Sequence, residues 1–345
     1  VREQHTESVD TTFGSDQHGL VWGYLFREEQ PPRPVDCDTA VRLLREARAP
    51  GRPGEFLWLH FSLSNAAAER WLRQNLALPE AFHTALHEGV GATRLEQDGD
   101  ALIVVLHDVL FEFRYDASEV STVCLCVQPR VMISARARPL RSLDRLRATV
   151  KAGETFGSPV ALLADLLRNQ AEGMVDIVRQ STARVDGIED QLLRHRVSVS
   201  RSELAGLRRM LVRLQRLLTP EPAALFRLLS RPPAWMIEAD VQMLRQAAEE
   251  FATAVADSGA LVERIRLIQE ELAAILNEHS NRTLFLLTLA TVVALPFNVI
   301  AGIFGMNVGG IPLAGHHHGF AIVIAAVTIL TALAGIVLLR RRQEW

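Results

Sequence analysis

Between Thr283 and Leu339 the sequence contains no Asp, Glu, Lys or Arg, a run of 57 residues. A helix rises 1.5 Å per residue, so the 22 residues from Thr283 to Phe304 would span ~33 Å, against a bilayer hydrocarbon core about 30 Å thick. Gly319 to Leu339 is a second segment of similar length, and about 14 residues separate the two. The pair predicts a membrane hairpin with both ends on one side. Arg282 precedes the first segment, Arg340, Arg341 and Arg342 follow the second, and the connecting loop has no basic residue. This asymmetry predicts both termini in the cytoplasm, the loop outside and a location in the inner (plasma) membrane of a bacterial-type cell. A buried soluble hairpin would instead need a very large partner surface.

The remainder of the chain reads as water-soluble. Of the 345 residues 48% are hydrophobic and 22% charged, figures that agree only if the apolar excess is local. The N-terminal stretch VREQHTESVDTTFG is polar and lacks an apolar signal core, so the first 280 or so residues are expected to stay cytoplasmic. A net charge of −3 and the lack of a basic tail give no reason to expect nucleic acid as a partner. Cys37, Cys124 and Cys126 are too few and too irregular for a disulfide framework. The last two alternate within a strand-like run, which predicts one shared sheet face and buried, reduced thiols. No nucleophile motif, phosphate loop or catalytic metal spacing is present, so an enzyme is not expected.

Residues 1–150 predict a cytoplasmic α/β domain of the α+β class, with a mixed sheet and helices. Its strands are read at 20–26, 56–63, 101–111, 121–128 and 130–137, runs of Val, Leu, Ile and aromatic residues bounded by turn signals. A helix is read at 65–76 with Ser64 or Asn65 as its cap, and 31–38 as a loop. His83 and His87 form a possible metal pair if their segment is helical. From Pro139 onward the apolar period becomes 3.6, and 151–282 predicts a long-helix and stalk region. It holds one helix over 158–196, a second over 202–218, a break at TPEP, and a third from Ala234 continuing to Phe304. The C-terminal pieces are then 283–304 (first transmembrane helix), 305–318 (external loop), 319–339 (second transmembrane helix) and 340–345 (basic cytoplasmic tail).

Along the first membrane segment Asn281, Leu284, Thr288, Thr291, Leu295, Asn298 and Gly302 recur at spacings of 3 and 4, a heptad seam on one face. A polar stripe facing lipid is costly, so the seam must meet another helix or water. Interhelical hydrogen bonding is one solution. A water-filled path is the other, and one chain with two spans forms such a path only by self-association. Extended backward, the seam reaches Glu278 and Glu271, which would then ring the inner mouth and raise the local cation concentration.

The stretch NRTLFLLTLATVVALPFNVIAGIFGMN, with Gly305-Met306-Asn307 and the preceding Pro296, resembles the first transmembrane helix and signature of the CorA superfamily of divalent-cation transporters. The two-span C-terminal hairpin and terminal basic cluster fit the same resemblance. It implies a homopentameric funnel whose first transmembrane helices line a central pore, with Gly305, Met306 and Asn307 as the selectivity filter. Within the superfamily the continuation VGGIPL resembles the zinc-transporter branch, and the acidic residue usual after the signature in magnesium-transporting members is missing here.

The resemblance therefore implies zinc as the transported ion, with magnesium, cobalt or nickel as alternatives, no bound cofactor, and proton coupling through groups outside the span. His316, His317 and His318 stand together in the loop; imidazole suits zinc and titrates near neutrality, so they are candidates for an external zinc-collecting ring. The expected partners are the lipid bilayer, divalent cations and further copies of the chain. A reading from a different class is a membrane-tethered cytoplasmic sensor, which would have no need of a polar seam.

Overall fold

The computed structural model describes residues 14–28, 30–46, 54–87, 93–111, 113–114, 119–193, 200–305 and 317–342. The chain divides into two compact units, Val1–Ile268 and Gln269–Trp345.

The first unit is built on a seven-stranded sheet. Its strands are β1 (Leu20–Arg27), β2 (Gln30–Pro34), β3 (Phe56–Ser62), β4 (Arg94–Asp98), β5 (Ala101–Val109), β6 (Val120–Gln128) and β7 (Val131–Arg136). The spatial order is β2-β1-β3-β7-β6-β5-β4, with every pair antiparallel except β3 and β7. The helices of this part are α1 (Cys37–Glu46), α2 (Ala66–Asn75), α3 (Glu80–His87), α4 (Arg141–Lys151), α5 (Pro159–Leu193), α6 (Ser200–Leu218) and α7 (Pro220–Leu229). Helix α8 runs unbroken from Glu238 to Phe304, and α9 occupies Gly319–Arg342.

The central strands are continuous apolar runs because both their faces are covered. Leu102, Val104 and Leu106 of β5 join a core with Trp58, Leu163, Leu167, Leu225 and Leu244, on the side of α4, α5, α7 and the start of α8. Ala101, Ile103 and Val105 pack on the other side with Trp71, Leu72 and Phe82 of α2 and α3. Cys124 and Cys126 both lie in this second core, sharing one face as their alternation requires. Burial pushes the Cys126 thiol up to about 12, so it stays protonated and inert. A third core joins α5, α6 and α8 through Ile177, Ile188, Leu211, Leu214, Phe251 and Ile265.

Local signals explain the joints. Asn65 caps α2, its side chain accepting from the Ala67 amide at 2.9 Å. Gly19 sits at φ +83, and a Cβ there would lie 2.5 Å from Ala68 Cβ, so the turn into β1 has room only for glycine. The polar edges depart from expectation. Residues 31–38, read as a loop, supply β2 and the first turn of α1, while β4 and α3 carried no expectation. The break read at TPEP is the start of α7, because proline at the first helical position loses no intrahelical bond. Helix α6 begins at Ser200 rather than Ser202. Helix α8 begins at Glu238 rather than Ala234, with Glu238 and Asp240 in its first turn. Arg340 to Arg342 extend α9 rather than forming a separate tail.

Candidate functional site

The seam is exposed along α8, as are the apolar residues Leu286, Leu287, Val293, Val299 and Ile303 on its other sides. Asn281, Leu284, Thr288, Thr291, Leu295, Asn298 and Gly302 are all exposed, with Leu284 and Leu295 at 57% and 58%. None of the apolar window of this helix is buried in the chain. One residue further round, about 100° on a helix, Phe285, Leu289, Val292, Pro296 and Ile300 are half-buried. Helix α9 carries a matching stripe, with Gly319, Val327 and Thr331 buried and Val323 and Gly335 half-buried. The half-buried stripe of α8 therefore adjoins the polar seam without including it.

Both seam threonines bond back to their own helix. Thr288 Oγ1 donates to the Leu284 carbonyl at 2.8 Å and Thr291 Oγ1 to the Leu287 carbonyl at 2.9 Å. With its one proton spent, each hydroxyl offers only lone pairs to whatever faces the seam. Glu271 and Glu278 are exposed on the same face. Arg264, also on the extended seam, is drawn to α5, where it bonds Asp186 at 2.7 Å and Glu189 at 2.5 Å.

At the far end of α8 the Gly305 amide donates to the Ala301 carbonyl at 2.9 Å. Met306, Asn307 and His316 lie outside the described residues. His317 and His318 stand edge to face with ring centroids 5.0 Å apart, and the His318 carbonyl accepts the Ile322 amide at the start of α9. Among the described residues no group of three His, Cys, Asp or Glu side chains is placed to hold a metal ion. His83 and His87 both fall on α3, but they do not act together. His83 is buried, whereas exposed His87 bonds Glu69 at 3.0 Å.

With this geometry the chain can be compared with known proteins. Residues 53–341 match the family described as CorA-like Mg2+ transporter protein. The chain belongs to that family. Among its relatives, the divalent cation transporter CmaX of Pseudomonas aeruginosa is 28% identical over 312 residues, 88% of this chain and 91% of that protein. The zinc transport protein ZntB of Pectobacterium atrosepticum is 25% identical over 291 residues, 84% of this chain and 87% of that protein. The solved structure of full-length CmaX superposes with a TM-score of 0.78 at 26% identity, covering 96% of this chain and 99% of the other. The CorA-like fold, with its α/β soluble part, mixed sheet and long helix, is therefore established, and the chain's relatives in the superfamily include proteins named as zinc transporters.

This CorA-like chain also holds a polar cluster that sequence reasoning missed. His107 and Asp108 of β5, Gln170 of α5, Glu221 of α7 and Ser142 of α4 are all buried. Glu221 Oε1 accepts from the His107 amide at 2.7 Å and lies 3.2 Å from His107 Nδ1, while Oε2 accepts from Gln170 Nε2 at 2.9 Å. Gln170 Nε2 also donates to the His107 carbonyl. Asp108 accepts from the Val109 amide at 2.8 Å, the Ser142 amide at 2.8 Å and the Ser142 hydroxyl at 3.0 Å. Burial pushes the Asp108 carboxyl up to about 7 despite these bonds, and raises that of Glu221 as well. Glu221 follows Pro220 in a stretch that reads as a solvated turn, and His107 lies 114 residues away, so no local pattern announces the pair.

Proposed function

We propose that this chain assembles as a homopentamer in the inner membrane and carries divalent metal cations, zinc foremost, through a central pore lined by the α8 seam. One observation carries the reading: the polar residues of an otherwise apolar, unburied helix fall on one heptad-spaced seam. Hydrocarbon is a poor solvent for Asn281, Thr288, Thr291 and Asn298. Five copies around an axis would turn these residues onto water. The stripes of α8 and α9 support their pairing as a transmembrane hairpin, with both termini cytoplasmic.

The chemistry of the seam suits a hydrated cation. The inner-shell waters of a divalent ion point their hydrogens outward, and the back-bonded threonine hydroxyls present only acceptors to them. Leu284 and Leu295 alternate with the polar rings and are the positions for narrow, dewetting constrictions. At the outer end Gly305, Met306 and Asn307 would form a filter of neutral amide oxygens. Five helix C-termini add partial negative charge there without a carboxylate. Glu271 and Glu278 would attract cations at the inner mouth.

Zinc is favoured by the loop VGGIPL, by its neutral character, by His316, His317 and His318, and by the relatives named as zinc transport proteins. The family description favours magnesium as the second reading. Within 283–304 the seam has no acid or histidine, so any proton coupling in this scheme falls to groups elsewhere. The test is zinc and magnesium flux into proteoliposomes, with and without a pH gradient, for the native chain and Asn307→Ala. Zinc flux that follows the gradient and is lost in the variant is the expected result. Magnesium flux indifferent to the gradient would make this a magnesium channel, and flux of neither ion would overturn the transport reading.

A further inference from the structure

Helix α7 joins α6 to α8 and packs on the core of the sheet through Leu225 and Leu229, with one fully buried carboxylate in its first turn. Glu221, at 0% exposure in the first turn of α7, binds both the backbone and the ring of His107 on β5 and the side chain of Gln170 on α5. The neighbouring Asp108 ties the same strand to the N-terminus of α4 through Ser142. Four elements therefore meet at two carboxylates and one imidazole.

A small cavity of about 10 Å³ beside the cluster is lined by His107, Asp108, Gln170, Met174, Leu214 and Leu218 among others; only His107 and Asp108 of its lining can titrate. From the β4 side the facing group is the Thr93 hydroxyl, 3.4 Å from His107 Nδ1. Arg136 of β7 acts on Asp108 at longer range, and its own bonds go to His60 and Asp144. Glu221 adds a small push against ionisation of Asp108, after burial as the main cause.

We propose that the Glu221–His107–Gln170 junction, with Asp108 beside it, is a proton-operated latch that fixes the start of α7 to the sheet and makes transport respond to the pH bathing the α/β unit. The transport clause rests on the function proposed above; the latch itself does not. The sign follows from burial. The closed junction keeps protons that the carboxylates would release in water, so raising the pH favours opening and acidification favours the closed form. Opening would free the first turn of α7, where the chain arrives from α6, while Leu225 and Leu229 keep the rest of the helix on the core.

The experiment is hydrogen exchange of the 220–229 segment in the full-length native protein and in Glu221→Gln, with flux measured on the same samples. Between about pH 5 and pH 7, after correction for intrinsic exchange, local opening of the native segment should grow by up to about tenfold per pH unit. Glu221→Gln should flatten that slope, and flux through the native protein should follow the same pH course. A native segment whose protection does not change with pH overturns the latch without recourse to any variant. A slope unchanged in Glu221→Gln overturns it too. If the exchange slope is present and flattens but neither zinc nor magnesium is carried, the latch stands and the transport reading fails.

Discussion

The two units of the chain handle polar groups in opposite ways. In Val1–Ile268 several buried polar side chains are bonded to one another across elements. His60 lies between Ser134 and Arg136, Asp108 takes three donors, and Glu221 is held by His107 and Gln170. In Gln269–Trp345 the amides and hydroxyls of the α8 seam face outward and apolar residues surround them. The first unit carries its own solvent-excluded core. The second has the composition of a core but little internal burial, so its order depends on what surrounds it. A chain can therefore carry a self-contained core in one unit and, in the other, an apolar surface that it does not bury itself.

Core truncation tests this contrast most severely. Phe251→Ala, at a site with 0% exposure, should cost ~3–5 kcal/mol of stability, read by denaturant unfolding of the solubilised chain. Leu295→Ala, 58% exposed on the seam, should leave stability within about 0.5 kcal/mol. Similar losses at both sites would break the comparison.

The next effect is pH-dependent. Asp108 has its pKa raised by burial from 3.8 to about 7, so its contribution is fully favourable below the ordinary carboxylate range and is lost as pH rises through about 7. Asp108→Asn should remove a pH-dependent stability change on the order of a few kcal/mol, visible as a smaller fall in melting temperature between mildly acidic and mildly alkaline buffers. No change in that slope would mean that Asp108 is as well solvated folded as unfolded.

The smallest stability effect should come with a clear functional one. Thr288→Val with Thr291→Val keeps shape and removes the outward acceptors. Stability should shift by no more than about 0.5 kcal/mol while cation flux falls. Unimpaired flux would show that these hydroxyls do not meet the ion's water.

Legibility followed the same division. The five central strands could be read because burial on both faces leaves uninterrupted apolar runs. The edge strands could not: QPPRP is proline-bearing and RLEQD is charged, features that protect a sheet edge from pairing with other chains. Prolines around Thr219 read as a break although they start a helix. The seam was visible because Asn and Thr stand out against an apolar helix. Arg264 on its extension could not be placed from the pattern, since its partners Asp186 and Glu189 belong to another helix. The Glu221 junction was hidden for the same reason, its members meeting only through tertiary packing.

The lone parallel pair has a consequence for how the protein is made. Strand β3 ends at Ser62, and its partner β7 begins only at Val131. As the chain leaves the ribosome, β1, β2 and β3 can pair at once, but one side of β3 stays open until the β4–β7 meander has emerged and closed against it. Non-local closure of this kind is slow and leaves a strand edge exposed meanwhile. The apolar helices follow much later in synthesis. The order of elements along the chain thus gives the sheet time to seal before the most aggregation-prone segments appear.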